Sequence, residues 1–595
     1  MNTNEKIASL RLAMKERGIS AYIIPSNDPH MSEYVAEHWK SRKYFSGFTG
    51  SAGTLVVTEE SSGLWTDGRY FIQAEQQLSG SEVKLFKMGE KGVPTYIEYI
   101  ADTLKMNEAV GIDGRLFSAN TVKSMKKSFE KKALIIKTDV DLVEGLWLNR
   151  PKEPLTEVYN HEIKYTGISC REKLEKVRAE LEKKNAEGYV LTELASIAWL
   201  FNIRANDIDF NPMATSYAYV NKEAAYLCIN QSRVPESVKN ELALQGVTLK
   251  AYEEIEELLV GISEPTRVLC HVPSINQYLY GLLEGNEKIT IVEAEDIVID
   301  LKAIKNPVEI DNMIEAHIKD GCALTHFMVD LEERMERGEG LTEYSLIDLL
   351  IKARAAQENN KGESFSAIIA YKENAAMMHY APTKEKNKKL EKEGLLLIDS
   401  GGQYLEGTTD ITRTFALGPV TEEEKRAYTL VLKSHIALAR AVFLEGCTGG
   451  NLDILAREPM WENGLDYKCG TGHGVGFMLG VHEGPQSLRI TNQVPFKVGM
   501  VITDEPGVYE KDKYGIRTEN ILVVREHATT ESGTFYSFEN ITYFPIDTKP
   551  INVEMLERKE INWLNSYHQM VYEKLAPRLE GKALEWLKEN TKPIG

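Results

Sequence analysis

Two stretches of this 595-residue chain echo each other at an offset that never changes. Glu5-Lys6-Ile7 is answered by Glu172-Lys173-Leu174, Leu10-Arg11 by Val177-Arg178, Met14 by Leu181, and Tyr22-Ile23-Ile24 by Tyr189-Val190-Leu191, always 167 positions later. Each copy sets apolar residues three and four apart, the helical period, and then a short apolar run that reads as a buried strand. In the first copy Gly18 stops the helix and Ala21 to Ile24 is the strand. A gapless repeat of a helix–strand unit predicts two related α/β domains in tandem, because two copies are too few for a stacked solenoid. The alternative is a chance likeness between two amphipathic units.

A single hydrophobic core seldom serves more than about 250–300 residues, so two to four domains are expected. A third segment starts at Asn306-Pro307-Val308-Glu309, where a cap residue, a first-position proline and a third-position acid signal a helix start. Ile310, Ile314 and Ile318 then line one face. The expected domains are therefore 1–160, 161–305 and 306–595. Another capped helix begins at Thr421, and a helical tail runs from about 551 to the end. Its stripe Leu564, Tyr567, Val571 and Leu575 must cover either its own domain or a second subunit.

The formal net charge of -19 argues against nucleic acid or an anionic membrane as partner, since both need basic surface. No basic-then-apolar leader is visible at the amino terminus, and no apolar run reaches the roughly 18 residues that span a bilayer. Six scattered cysteines lack metal-finger or disulfide-scaffold spacing, which fits a reduced, cytoplasmic compartment. In the first copy Trp65 to Tyr70 ends a strand in a tight turn, where Asp67 and Arg69 read as a structural ion pair or a loop reaching a neighbouring site. In the second copy Ile197 to Phe201 reads as buried core, and Arg204 to Asp209 as a polar loop. Neither copy holds a nucleophile motif or a phosphate loop.

Between Leu395 and Val524, five metal-type ligands follow in order. Asp399 ends the run Leu395-Leu396-Leu397-Ile398, and Asp410 follows eleven residues later inside Gly407 to Thr414. His473 lies in Gly472-His473-Gly474, Glu505 in Asp504-Glu505-Pro506, and Glu519 in Arg517-Thr518-Glu519-Asn520. Four carboxylates with one imidazole are a hard, oxygen-rich set that suits two divalent cations better than one. Leu395 to Asp399 and Thr408 to Thr414 read as neighbouring strands, so both aspartates can converge on one point. Pro506 favours extended backbone at Glu505. Gly515 to Ile521 alternates as one strand, which puts Arg517 and Glu519 on one face. Singly, each of these residues is more often a cap, a turn former or a loop residue. The glycines around His473 suggest a phosphate loop, but no Lys-Ser/Thr follows them. Order and flanking sequence lift the set.

Those flanking motifs resemble the M24 pita-bread metallopeptidases, and within them the three-domain, cytosolic Xaa-Pro aminopeptidases, over nearly the whole chain. The resemblance is carried by Ala21 to Ser26, Ser46-Gly47-Phe48, Trp65 to Phe71, His379-Tyr380-Ala381-Pro382, the five-ligand series and Val481-His482-Glu483-Gly484-Pro485. It implies an α/β and α+β chain: two creatinase N-terminal-like α/β domains, then a catalytic pita-bread domain. Residue by residue, it makes Asp399, Asp410, His473, Glu505 and Glu519 the metal ligands. Asp410 and Glu519 would bridge two divalent ions, Asp399 would complete one site, and His473 with Glu505 the other. Mn²⁺ is the ion the family favours, with Co²⁺ and Zn²⁺ as alternatives. His379, His482 and Arg517 match substrate-handling positions.

The implied reaction is hydrolysis of the bond between an N-terminal residue and a following proline by a metal-activated hydroxide. Glu505 would shuttle the proton, His482 would help stabilise the oxyanion, and His379 would position the proline unit. Read without the resemblance, His379 is an ordinary loop histidine and His482 a residue that orients a ligand. One departure is Cys469, where several members carry histidine; a thiol is the weaker donor, and a redox role is the alternative it raises. Implied partners are proline-containing peptides and a second copy of the chain, joined through the C-terminal domain. The runner-up is a prolidase, which cuts Xaa-Pro dipeptides; the two front domains and helical tail favour the aminopeptidase. Methionine aminopeptidases lack those front domains, and creatinase-like enzymes or peptide-binding pseudo-peptidases lose ligands that are all present here.

Overall fold

The glutamate repeated at 5 and 172 does the same job twice. In the computed structural model, which describes residues 1–595, Glu5 is the third residue of helix α1 (Thr3–Glu16) and Glu172 the third of α2 (Cys170–Lys183). Glu5 accepts the Asn2 N–H at 2.8 Å while Asn2 accepts the Glu5 N–H at 2.9 Å. Ser169 and Glu172 make the same exchange at 2.8 and 3.2 Å. Two orphan donors are satisfied reciprocally at each helix start. Ile7, Leu10 and Met14 in α1, and Leu174, Val177 and Leu181 in α2, are the buried stripe.

The echo is a repeat of topology. The first sheet holds β1 (Ala21–Ile24), β2 (Thr54–Thr58), β3 (Ser62–Thr66), β4 (Val83–Lys87), β5 (Ala109–Gly111) and β6 (Ile135–Lys137), in the order 4-3-2-1-5-6. The second holds β7 (Gly188–Leu191), β8 (Ser216–Asn221), β9 (Ala225–Ile229), β10 (Val247–Lys250), β11 (Thr266–Cys270) and β12 (Ile289–Glu293), in the order 10-9-8-7-11-12. Every pairing direction agrees between the two: β1–β2 and β7–β8 are antiparallel, β3–β4 and β9–β10 parallel, β1–β5 and β7–β11 parallel. Strand β1 lies between two cores, with Tyr22 and Ile24 packed beside α1 and Ala21 and Ile23 packed beside Trp65 and Phe129. A sheet covered on both faces explains why its central strand reads as an unbroken apolar run.

One expectation from these domains changes in detail and another stands. The stretch from Arg204 is no open polar loop. Ile203–Arg204 pairs with Tyr159–Asn160, Arg204 is 1% exposed, and it donates to the carbonyls of Ala198 and Ile203 at 2.8 and 2.9 Å. Asp207 is buried against Arg233. Charge enters a core only when partners satisfy it, and these partners do. Asp67 and Arg69 form a two-pronged pair across their turn, Nε and Nη2 each 2.8 Å from a carboxylate oxygen.

Residues 1–160, 168–209 and 213–298 form one unit; residues 161–167, 210–212 and 299–595 form another. The second is built on the 30-residue helix α3 (Pro307–Glu336), roughly 45 Å long at 1.5 Å per residue. Asn306 and Glu309 make its capping box, with Pro307 at the first position. One sheet runs β13 (Ile368–Tyr371), β14 (Leu395–Ser400) and β15 (Ile411–Ala416), all antiparallel. A second sheet contains β16 (Val442–Leu444), β19 (Val501–Asp504), β22 (Asn520–Thr530) and β23 (Gly533–Asn540), in the order 16-23-22-19. Two ribbons complete the frame: β17 (Gly472–Gly474) with β18 (Glu483–Leu488), and β20 (Gly507–Glu510) with β21 (Tyr514–Arg517). The single strand expected over Gly515 to Ile521 is two strands. The chain changes partner at Thr518 and Glu519, leaving the β20 ribbon and joining β19 and β23.

The tail forms α5 (Arg558–Leu575) and α6 (Gly581–Asn590), and α4 (Glu422–Ala439) lies earlier in the unit. Leu564, Tyr567, Val571 and Leu575 are buried in one core with Tyr428, Val431, Ile436 and Ile546. The stripe covers its own domain, so it makes no case for a second subunit. Leu564→Ala should therefore destabilise the second unit by about 2–5 kcal/mol, the range for a truncated core leucine, and leave the light-scattering mass unchanged. A folded Leu564→Ala protein of lower mass would return the stripe to an interface.

Candidate metal centre

Strands β14 and β15 pair Asp399 with Thr412 and Ser400 with Ile411, so Asp410 lies just past the end of the ladder. Asp410, His473 and Glu519 then offer ligand atoms that all lie within 4.8 Å of one another. His473 Nε2 is 3.6 Å from Asp410 Oδ2 and 3.4 Å from Glu505 Oε1. Backbone contacts hold the strands to this meeting point. The Glu519 N–H donates to the Thr412 carbonyl at 3.1 Å, and the Glu505 N–H to the Thr471 carbonyl at 2.7 Å. Thr503 accepts the His473 N–H at 3.0 Å and donates to Glu505 Oε1 at 3.3 Å.

Arg517 organises the other edge. Its Nη2 donates to Asp399 Oδ2, its Nε to Thr412 Oγ1 at 3.1 Å, and its Nη1 to the Tyr509 hydroxyl at 2.6 Å. The Thr412 hydroxyl in turn donates a hydrogen bond to Glu519 Oε2 at 2.7 Å. Thr412, Thr503 and Tyr509 are not among the residues expected from sequence. For two of them a signal existed: Thr412 alternates with Asp410, and Thr503 with Glu505, so each shares its ligand's face of an extended chain. Tyr509 arrives through the β20–β21 ribbon, which nothing local announces.

The electrostatics of the cluster are unbalanced. Asp399 is 8% exposed, Asp410 4%, Glu519 2% and their cationic neighbour Arg517 3%. Burial first, then the other carboxylates, push Asp410 and Glu519 well above the ordinary carboxylate range. Burial raises Glu505 to about 7 against the pull of Arg517. Burial, then His482, push His473 well below its usual value, which keeps the ring neutral. Its Nδ1 donates to the Gly474 carbonyl at 2.9 Å, so the Nε2 lone pair faces Asp410 and Glu505. Asp399 Oδ1 is buried without a hydrogen-bond partner. Four carboxylates against one guanidinium, with an orphaned oxygen and a lone pair aimed inward, fit divalent cations.

His482 meets the His473 ring edge-on, centroids 4.3 Å apart and planes at 74°, and it is exposed. His379 is exposed beside buried Tyr380 and is not among the residues that these contacts join. Burial pushes the Cys469 thiol up to about 11, away from the thiolate that oxidation needs, which counts against a redox role.

Comparison with known proteins covers the chain from end to end. Residues 311–526 match metallopeptidase family M24, and 534–594 match the C-terminal region of peptidase M24. Residues 6–142 and 149–309 each match the creatinase/prolidase N-terminal domain. Aminopeptidase P2 of Arabidopsis thaliana is 40% identical over 99% of this chain and 88% of its own. A probable Xaa-Pro aminopeptidase P of Paracoccidioides brasiliensis is 40% identical over the whole of both chains. The crystal structure of an X-prolyl aminopeptidase from Caenorhabditis elegans, described as a cytosolic enzyme with a di-nuclear active site, superposes with a TM-score of 0.93 at 35% identity over both full chains. No helix of this chain is long and apolar enough to cross a membrane.

If the cluster takes cations, they stabilise the fold by mass action. Mn²⁺ at about 100 times its Kd should add roughly 2.7 kcal/mol, seen as a raised Tm that chelator reverses. A Tm indifferent to both additions would contradict the fit.

Proposed function

This chain belongs to metallopeptidase family M24, and from that premise we propose a metal-dependent aminopeptidase that cleaves the bond between an N-terminal residue and a following proline. The observation that carries the reading is the meeting of Asp410, His473 and Glu519, with half-buried Glu505 beside His473 and Arg517 tying Asp399 to the group. The Xaa-Pro substrate class is supported by the names of relatives that align over their full length. In this reading the first domain spans 1–160, the second 161–305 and the catalytic domain 306–595.

Asp399, Asp410, His473, Glu505 and Glu519 would hold two divalent cations. Such a pair would supply Lewis-acid chemistry, making water a better nucleophile near neutral pH and polarising a carbonyl. Glu505, raised to about 7 by burial, is the group to take up a proton and deliver it to the proline nitrogen, because general acid–base work is most efficient near the operating pH. His482, beside His473 on the exposed side, can donate to the developing oxyanion. His379 would orient the proline unit. Arg517 is engaged with Asp399, Thr412 and Tyr509, which supports a role in holding the ligand set and not in touching substrate.

Manganese suits a carboxylate-dominated set, with cobalt or zinc as alternatives. A cytoplasmic location is supported by the relative described as cytosolic. A homodimer joined through the catalytic domain rests on the family resemblance alone, since the tail stripe packs inside its own unit.

After chelation and return of Mn²⁺, the protein should release arginine from Arg-Pro-Pro and leave Arg-Ala-Pro intact. Arg-Pro should be cut more slowly than the tripeptide; the reverse order would reassign the protein as a dipeptidase. Folded protein that cuts neither peptide under any divalent ion would overturn the reading. Glu505→Gln should lower kcat by about 10²–10⁴-fold, the worth of a positioned acid–base group. Wild-type kcat in that variant would remove the proton role.

A further inference from the structure

The strands that present the candidate ligands carry a second set of polar side chains on their reverse faces. Arg413 follows Thr412, Asp504 precedes Glu505, and Asn520 follows Glu519. Adjacent residues of an extended chain point to opposite sides, so each of these faces away from the cluster. All three are buried, and so is His435, which α4 inserts against β19 and β22. Asp504 and Asn520 stand directly opposite each other in that strand pair.

The imidazole joins them. His435 Nδ1 is 3.1 Å from the Asp504 carbonyl, to which it donates, and 3.1 Å from Asp504 Oδ2. Its Nε2 is 3.1 Å from Asn520 Nδ2. Asn520 Oδ1 accepts from Arg413 Nη2 at 2.8 Å, so the amide must turn its Nδ2 toward the ring. The ring then accepts at Nε2 and carries its proton on Nδ1. Arg413 sets the amide, and the amide sets the tautomer. The same guanidinium grips the backbone of the ligand strands, donating to the carbonyls of Thr412 at 2.9 Å and Glu519 at 2.6 Å.

The far end of this network is the tail helix. Arg413 Nη2 donates to the Tyr567 hydroxyl at 2.8 Å, and that hydroxyl lies 3.4 Å from Asn520 Oδ1. Trp563, one turn earlier on α5, stacks on Tyr567 with centroids 5.3 Å apart and meets His435 edge-on at 5.7 Å. Three strands, α4 and α5 therefore close on one buried line of hydrogen bonds.

We propose that Arg413, His435, Asn520 and Tyr567 form a positioning spine that sets the spacing of β15, β19 and β22, and with it the spacing of Asp410, Glu505 and Glu519. The tail helix is then part of the metal centre's support and not only a cover for the core. The inference rests on the metal-centre reading above. A network that merely stabilises the fold would leave metal affinity alone; a positioning one sets it.

The test is Mn²⁺ binding by calorimetry to chelator-stripped full-length protein, with the Tm of each stripped variant measured beside it. His435→Ala should weaken Mn²⁺ binding by about 10–100-fold, the usual effect of losing a group that orients ligands. His435→Gln, whose amide can donate to Asp504 and accept from Asn520, should recover most of that loss. Tyr567→Phe should weaken binding several-fold. Folded His435→Ala protein with wild-type affinity, or His435→Gln no better than His435→Ala, overturns the spine. Should His435→Ala not fold, wild-type affinity in Tyr567→Phe overturns it. Wild-type protein that takes up no Mn²⁺ removes the metal centre, and the spine with it, by a result distinct from any of these.

Discussion

Two like charges about 4 Å apart repel by roughly 4 kcal/mol even at the moderate effective dielectric of a partly hydrated protein interior. In the catalytic unit of this chain, Asp410 and Glu519 bring carboxylate oxygens within 4.8 Å, where the repulsion is only slightly weaker, Glu505 stands beside them, and Asp399 completes the group. One guanidinium, Arg517, offsets them. Burial and mutual repulsion lift Asp410, Glu519 and Glu505 above the usual range, so left alone the cluster lowers its charge by holding protons. Positive charge from divalent ions relieves the same repulsion without protonation. The chemistry follows from that choice, since a carboxylate freed of its proton can ligate, and one poised near neutrality can move protons.

The surrounding fold serves to bring mutually repelling groups together. The ligands come from four separate stretches: the β14–β15 pair, the β17 ribbon, the end of β19, and the break before β22. No single strand could offer five such side chains to one point, because alternation turns every second residue away. Thr412 and Thr503 tie ligands to neighbouring strands, and Arg517 ties Asp399 to Tyr509. Behind them the His435–Asn520–Arg413 line connects the same strands to α4 and the tail.

Much of this was legible in the chain itself, for reasons that differ by residue. The tandem α/β domains could be read because the same capping glutamate, helix stripe and strand recur at one offset, and the two sheets share their strand order and pairing directions. The ligand set could be read because the motifs flanking those five residues resemble the M24 metallopeptidases; carboxylates and a histidine in that order would not have singled them out. The break at Thr518 and Glu519 could not, since alternation looks the same whether a strand continues or changes partner. Nor could the use of the tail stripe, because an apolar face specifies that it is covered and not by what. Arg204 and Asp207 misled for a related reason: charge reads as surface until a buried partner, here Arg233 or a carbonyl, is in view.

The most direct test of the central claim is calorimetric titration of metal-free protein with Mn²⁺ in two buffers of different ionisation heat, which counts ions bound and protons released together. The account predicts two ions per chain, with net proton release near neutral pH, because carboxyls that hold protons in the empty cluster must lose them to ligate. A single ion, or two ions bound with no proton released, would contradict it.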